Sequence, residues 1–315
     1  MVILVTGAGG FIGSHLCAEL ERADHDVRRA DLEDGDLTEP GVARRIVRDH
    51  RPDVVVHLAA QVGRLFGEDS PEWTIRENAL MTTWVAREAA AIGARVMYAS
   101  TSEVYGDQGA TLCYEGGPIV LSHNLYGVSK LWGEQAFQLY APDGLQIIRL
   151  SMPYGPGLPA GRGRAAIINF LWQANTGQPL TVHRGAARCW CFVADTARGI
   201  RMIIEKGEQA RSGQESASGV GVYNVGRDDN EISMFEVAET ACEIAGAPTH
   251  LVELLDAPSN QTVVKRLSSA KLQALGWRPE VELREGMERT FEVVRLLDAD
   301  GSPPPKAMPL EAAVF

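Results

Sequence analysis

The sequence predicts an α/β fold, a doubly wound parallel sheet followed by a smaller α+β unit. Through the first half of the chain, short apolar runs alternate with helical patterns of roughly a dozen residues, the signature of strands joined by crossover helices. Gly7, Gly9, Gly10 and Gly13 stand between the first apolar run and the first helical pattern. Beyond residue 152 the alternation gives way to a Gly/Pro-rich stretch and then to shorter, mixed elements.

Taken in order, Val2–Val5, Asp26–Asp31, Val54–Leu58, Arg95–Ser100 and Leu145–Met152 are the expected strands, short and rich in apolar and β-branched residues. Between them Gly13–Arg22, Gly41–His50, Ile75–Ile92 and Tyr126–Leu139 are the expected helices, several with Asp, Thr or Ser near their starts, where such side chains cap free N–H groups. The stretch from Pro153 to Arg164 cannot continue a regular element and marks a domain boundary or a binding loop. Ala165–Asn175, Asp195–Lys206 and Ser233–Ala245 follow as expected helices, with Leu180–His183, Cys189–Val193 and Gly221–Val225 as strands. Residues 1–152 are therefore expected to form the sheet domain, with 189–226 returning to it. Residues 153–188 and 227–300 are assigned to the second unit. Glu208–Gly219 reads as a mobile loop, and the Ser302-Pro-Pro-Pro305 run makes 301–315 a loose tail.

At 315 residues the chain is long enough for two units with substantial cores. Lys and Arg number 30 against 41 Asp and Glu, and the resulting charge of -11 repels a phosphate backbone, so no nucleic-acid partner is expected. Cys17, Cys113, Cys189, Cys191 and Cys242 are scattered and odd in number, as reduced thiols are. Alternation puts Cys189 and Cys191 on one strand face with no second Cys/His pair nearby, so buried thiols are expected there and no metal site. Met1 runs directly into Val-Ile-Leu-Val with no basic leader, and no apolar run approaches the ~18 residues that span a bilayer. A cytoplasmic chain without a membrane partner is the expectation.

Thr6-Gly7-Ala8-Gly9-Gly10-Phe11-Ile12-Gly13 follows the first strand and opens the first helix, the context of a dinucleotide fingerprint. Gly7, Gly10 and Gly13 allow a tight turn in which backbone N–H groups approach a pyrophosphate, and the helix N-terminus beneath Phe11 and Ile12 adds partial positive charge. Asp31 ends the second strand, where a carboxylate accepts hydrogen bonds from the adenosine ribose and repels a 2′-phosphate. NAD rather than NADP is thus the expected cofactor of a Rossmann-type domain. Arg28 and Arg29 precede the strand's carboxyl end and read as a solvated strand face.

Further segments follow in a fixed order: Gly35-Asp36-Leu37, His57-Leu58-Ala59-Ala60-Gln61, Asn78, Ala99-Ser100-Thr101-Ser102-Glu103-Val104-Tyr105-Gly106, Tyr126-Gly127-Val128-Ser129-Lys130, Tyr154-Gly155-Pro156, Arg188 and Leu275-Gly276-Trp277-Arg278-Pro279. With this series the chain resembles the extended short-chain dehydrogenase/reductase family, in its nucleotide-sugar epimerase/dehydratase branch, over nearly its whole length. The resemblance implies that Asp36 and Leu37 meet the adenine, that Leu58, Ala59, Ala60 and Gln61 cover the cofactor, and that Asn78 lies near the active site. Two departures stand out. Only five positions separate Asp31 from Asp36, where many relatives have a longer excursion with an extra strand, so the adenine side should be trimmed. Met152 replaces an asparagine that in many members touches the substrate diphosphate, so that contact must be absent or replaced. Lys265-Arg266 follow the family's sugar-nucleotide pattern only loosely.

Tyr126 and Lys130 are i and i+4 on one helix, which lets the ammonium sit beside the phenol and, with a cationic oxidised nicotinamide, favour phenolate. A tyrosine at its ordinary pKa of ~10 is otherwise a poor base at neutral pH. Thr101 falls at the carboxyl end of an expected strand, the edge where doubly wound sheets place ligands. As the resemblance implies, Tyr126 takes the proton of a sugar C4 hydroxyl, Thr101 hydrogen-bonds the same oxygen, and hydride leaves C4 for NAD. The resulting 4-ketose has three fates: hydride return to the other face gives a 4-epimer, loss of water across C5 and C6 a dehydratase product, and loss of carbon dioxide from a uronic acid a pentose.

Ser102 and Glu103 stand where a dehydratase or decarboxylase keeps an acid and a base. Glu103 also reads as a structural carboxylate holding the loop before Tyr105. The segment Tyr126 to Glu134 looks more like 4-epimerases. Arg188, and Arg162 with Arg164 in the Gly/Pro loop, suit a diphosphate or a C6 carboxylate, because guanidinium forks match both; a solvated basic loop is the other reading of the loop pair. Such positive charge in an acidic chain makes a UDP-uronic acid, UDP-glucuronate, the first expected substrate. An NAD-dependent 4-epimerase giving UDP-galacturonate is therefore expected, with a UDP-glucuronate decarboxylase or NDP-sugar 4,6-dehydratase as alternatives. A non-catalytic NAD-binding sensor is the alternative of another class, and retention of Tyr126, Lys130 and Thr101 speaks against it. The resemblance further implies a homodimer, in which the Ile75–Ile92 and Tyr126–Leu139 helices of two subunits form a four-helix bundle with Trp84 and Trp132 as interface anchors or core residues.

Overall fold

Strands β1 (Val2–Thr6), β2 (Asp26–Ala30), β3 (Val54–His57), β4 (Arg95–Thr101), β5 (Leu145–Leu150) and β6 (Gly221–Val225) pair in parallel in the order β2-β1-β3-β4-β5-β6. They belong to a computed structural model that describes residues 1–39, 41–141, 143–158, 160–161, 165–206, 220–257 and 263–297. The buried strands β1, β3, β4 and β5 are near-continuous apolar runs, as a parallel sheet covered on both faces requires. The longer helices are α1 (Phe11–Arg22), α2 (Val42–His50), α3 (Met81–Ala91), α4 (Leu125–Tyr140), α5 (Ala166–Thr176), α6 (Val193–Lys206), α7 (Met234–Ala245) and α8 (Leu283–Val294). Leu16 and Leu20 of α1 and Ile200 and Ile203 of α6 cover one face of the sheet. Ile46 of α2, Val85 of α3 and Phe137 of α4 cover the other.

A second core forms where α5, α7 and α8 pack around Tyr154, Leu180, Trp190 and Phe192. Its strands are short: Leu180–His183 pairs with Val252–Leu255, and Ala187–Cys189 lies between Glu231–Ser233 and Val264–Leu267. Val264–Leu267 also pairs with Leu112–Cys113, which ties the second core to the loop after β4. Trp277 is fully buried and donates its indole N–H to Asp195 O at 3.0 Å, locking the Leu275–Pro279 segment onto α6.

Several expectations need correction. The helix expected over Ile75–Ile92 is broken into Pro71–Ile75, a π-helical turn at Arg76–Leu80 and α3; the extra residue in that turn carries Asn78 inward, a distortion common at functional sites. The strand expected to reach Met152 ends at Leu150, because Met152 adopts φ 45°, a left-handed conformation that no strand accommodates. Asp31 lies outside β2 and caps the turn Leu32–Asp34 instead. Cys189 and Cys191 do not share a strand: the chain breaks at Trp190, and Cys191 pairs with Pro153 while Cys189 pairs with Glu231. Both thiols are nevertheless buried and free, as are the other cysteines. β2 is an edge strand with Arg28 and Arg29 paired outward to Asp26 and Glu21, so the adenine side is trimmed. Among the described residues, no helix is long and apolar enough to cross a membrane.

Candidate functional site

A cavity of about 1330 Å³ runs across the carboxyl ends of the strands and down to the second core. Its upper half is built by the glycine turn. Gly7 has φ +71°, and a Cβ there would lie 2.8 Å from Ala59 N; a Cβ on Gly13 would lie 2.0 Å from Gly7 O. Only glycine therefore lets α1 start this close to β1 and β3. No side chain caps the N-terminus of α1 and its first turn holds no acid, and Gly10, Phe11, Ile12 and Gly13 line the cavity. Asp31 lines it as well; its Oδ2 accepts from Gly9 N at 2.6 Å and its Oδ1 from Leu32 N at 2.8 Å, which seats the carboxylate against the turn. An uncapped helix end and a carboxylate just past β2, both lining one cavity, fit NAD.

Leu58, Ala59, Ala60 and Gln61 line the same half. Asn78 does not; it is a clamp behind the wall, accepting from Gln61 N at 2.8 Å and donating to Gln61 O at 3.0 Å and Ser129 Oγ at 2.9 Å. Asp36 and Leu37 also stand outside the lining. Asp36 accepts from the Thr38 hydroxyl at 2.7 Å and its N–H at 2.8 Å, which holds its carboxyl below the ordinary range, and Leu37 is buried in the core beside α2.

The lower half begins at Thr101, the last residue of β4 and the cap of the turn Ser102–Tyr105. Tyr126 stands in the first turn of α4 and lines the cavity together with Thr101. Burial and then the Glu103 charge push its phenol well up, and only the Thr101 hydroxyl pulls it down. Lys130 lies four residues further along α4. It is 2% exposed, its Nζ lies 4.5 Å from the centroid of the Tyr98 ring, and burial pushes its ammonium down to about 7 against the pull of Glu134. His57, hydrogen-bonded to the Thr6 and Thr82 hydroxyls, is neutral beneath it, pushed down to about 3 by burial.

Lys130 has a consequence for stability. The unfolded chain keeps this proton up to the ordinary value of 10.5, whereas the fold holds it only to about 7. Between those values the unfolded state binds more protons, so this group makes stability rise with pH; below about 7 the penalty is constant. In thermal melts of the NAD-free protein between about pH 7 and 9, Lys130→Met is expected to flatten the rise in Tm that the native protein shows. An unchanged slope would refute the buried ammonium.

Ser102 is buried in the wall and Glu103 lines it, but Glu103 is not a free carboxylate. Its Oε1 accepts from Lys265 Nζ at 2.6 Å and its Oε2 from Asn124 Nδ2 at 2.8 Å. Burial alone would raise its pKa, yet the Lys265 charge, these hydrogen bonds and the more distant Arg188 hold it below the ordinary range. Sequence reasoning missed both partners. Asn124 was legible as the N-cap of α4, where its Oδ1 accepts from Gly127 N at 2.8 Å, but nothing local marks Lys265. Neither Lys265 nor Arg266 is in the cavity lining: Lys265 pairs with Glu103, and Arg266 with Glu231 on the surface.

Arg188 does line the cavity, donating through Nη1 to Ala187 O at 2.7 Å and Val263 O at 2.5 Å. Arg162 and Arg164 lie outside the described residues. Met152 lines the cavity too, in its left-handed conformation. For a residue with a Cβ that conformation costs about 1–2 kcal/mol, and Asn tolerates it best among non-glycines. Met152→Asn is therefore expected to raise stability by about 1 kcal/mol, read as a higher midpoint in urea with an unchanged slope. A lower midpoint would show that Met152's apolar contacts outweigh its backbone strain.

Comparison with known proteins agrees with this geometry. The sequence pattern of the NAD dependent epimerase/dehydratase family matches residues 3–226. UDP-glucuronic acid decarboxylase 6 of Arabidopsis thaliana is 29% identical over 335 aligned positions, which cover 94% of this chain and 89% of that protein. The UDP-glucose 4-epimerase of Thermus thermophilus, solved with NAD, superposes with a TM-score of 0.79 at 26% identity, covering 93% of this chain and 98% of that one. MoeE5, solved with UDP-glucuronic acid and NAD, superposes with a TM-score of 0.76 at 26% identity and the same coverage. The family match runs from β1 through β6 and so takes in the sheet, the glycine turn and the Thr101–Tyr126 crevice; the chain belongs to the NAD dependent epimerase/dehydratase family and is an NAD-dependent enzyme.

Proposed function

We propose that this enzyme is a nucleotide-sugar 4-epimerase that converts UDP-glucuronate to UDP-galacturonate through a transient 4-ketose. One observation carries the reading: Thr101 and Tyr126 line the crevice together, while Glu103, which a dehydratase or decarboxylase would use at C5 and C6, has both oxygens engaged by Lys265 and Asn124. Gly7, Gly10, Phe11, Ile12, Gly13, Asp31 and the turn Leu58–Gln61 would hold NAD, which when bound accepts hydride from C4 and gives it back. Tyr126 Oη takes the C4 hydroxyl proton and Thr101 Oγ1 hydrogen-bonds the same oxygen. Lys130, one turn along α4, draws the phenol toward phenolate. Ser102 and Met152 line the sugar side, and Arg188 offers a guanidinium to a diphosphate or a C6 carboxylate.

The uronate is favoured by the likeness to MoeE5, whose structure holds UDP-glucuronic acid. A decarboxylase is the second reading, favoured by the curated relatives named UDP-glucuronic acid decarboxylase. Proton NMR of the enzyme with UDP-glucuronate and NAD in deuterated water separates the two. UDP-galacturonate that retains its C5 proton is the expected product, and a UDP-pentose would replace this reading by the second.

We also propose that the two cores divide the work, residues 1–152 with 189–226 binding NAD and residues 153–188 with 227–300 binding the sugar nucleotide. The working form is proposed to be a homodimer. Leu80 and, on α4, Val128 and Trp132 are exposed, Trp132 at 57%, as helix faces awaiting a partner would be; Trp84 instead packs on the core. Light scattering should report about twice 34.1 kDa at micromolar concentration, and a monomer mass would end the dimer proposal.

A further inference from the structure

Lys265 comes from beyond the family match, on the strand Val264–Leu267, yet its side chain is 4% exposed and reaches the loop after β4. Strand register puts it there. Val264 and Lys265 lie beside Ala187 and Arg188, while Arg266 and Leu267 lie beside Leu112 and Cys113. Alternation sends Lys265 inward to Glu103 and Arg266 outward to Glu231. Glu103 then passes the constraint on: its other oxygen holds Asn124, and Asn124 caps the helix that carries Tyr126. Among the described residues, other charged and titratable groups around Glu103 and Lys265 are Arg188, whose guanidinium already donates to two backbone carbonyls, Asp107, which acts on Arg188, the Tyr126 phenol and the Cys113 thiol.

We infer that Lys265 is a specificity-determining positioning residue: by keeping Glu103 a carboxylate with both oxygens occupied, it withholds an acid from C5 and leaves hydride return as the fate of the 4-ketose. The inference rests on the 4-epimerase reading above. A 4-ketose made from a hexuronate is a β-keto acid. When its C5–C6 bond breaks, carbon dioxide leaves, the bonding pair enters the C4–C5 enolate, and a pentose forms only once a proton reaches C5. Without Lys265, burial is left to push the Glu103 carboxyl up, toward its protonated form. Glu103 then donates that proton to C5, recovers it from water, and hydride returns to C4 of the pentose. Atoms and electrons balance with no further reactant.

The test compares native enzyme, Lys265→Met, Lys265→Arg and the double variant Lys265→Met/Glu103→Gln, each full-length with NAD and UDP-glucuronate, reading the ratio of UDP-pentose to UDP-galacturonate by NMR. Lys265→Met is expected to raise that ratio about tenfold or more, because each unit of pKa change alters the protonated fraction tenfold, and to raise it further at about pH 6 than at about pH 8. Lys265→Arg should restore the native ratio, and the double variant should lose the pentose. A native ratio in Lys265→Met, with Tm near that of the native enzyme, overturns the inference while leaving 4-epimerisation standing. Should Lys265→Met fail to fold, Lys265→Gln, which keeps a donor without the charge, carries the same expectation and the same refutation. Native enzyme that itself yields a pentose overturns the 4-epimerase reading, and the inference with it.

Discussion

Tyr126→Phe is expected to lower turnover of the sugar nucleotide by about 10²–10⁴ while NAD still binds. The phenol lines the crevice beside Thr101, where it can exchange a proton with a sugar hydroxyl. Glu103 is engaged by Lys265 and Asn124, and Lys130 lies against the Tyr98 ring. The substitution keeps the ring and its packing and removes only the oxygen, so the loss should fall on kcat rather than on the fold or on cofactor affinity. Turnover by NMR together with a calorimetric NAD titration checks this. A Tyr126→Phe enzyme working at the native rate would sink the assignment of Tyr126 as base.

Arg149→Met is expected to destabilise the protein by about 3–5 kcal/mol, enough to lower Tm on the order of 10 °C. Arg149 and Glu134 form a buried ion pair beneath the crevice, with Nε 2.9 Å from Oε1 and Nη2 2.7 Å from Oε2. Ser100 donates to the same carboxylate at 2.5 Å, and the guanidinium stacks over the Tyr105 ring at 4.8 Å. Tyr105 in turn donates to Asn224 on β6 at 2.8 Å, so the network joins β4, β5, β6 and α4 under the reacting groups. Removing the guanidinium leaves a carboxylate in the core without its bidentate partner. Replacing both ends, as Glu134→Leu with Arg149→Met, should recover most of the loss, because two apolar groups leave no charge behind. Urea titration decides it: a single variant within about 1 kcal/mol of the native protein would mean the pair contributes little.

Much of the fold was legible because it depends on near neighbours in sequence. The strands β1, β3, β4 and β5 announce themselves as apolar runs between helical patterns, and the two ends of α6 and α7 fall within a residue or two of expectation. The second core was less legible. Val252–Leu255 and Val264–Leu267 are four-residue strands with charged members, and they exist only because Leu180–His183 and Ala187–Cys189 offer them partners. The π-helical turn at Arg76–Leu80 has no local signature either; it is the tertiary bond set of Asn78 that holds it.

The site divides the same way. Residue order alone determined the glycine turn, Thr101 at a strand's end and the Tyr126–Lys130 pair one helical turn apart, because each is a spacing along a single element. Only the tertiary structure decided what the charged groups do. Glu103 read equally as an acid or as a brace until the fold brought Lys265 to it from 162 residues away. Lys130 read as a cation beside a phenol until burial and the Tyr98 ring surrounded it. Periodicity records which face of an element is buried. It does not record which charge lies opposite, and a buried ionisable group takes its protonation state from whatever the packed chain places within a few ångströms of it.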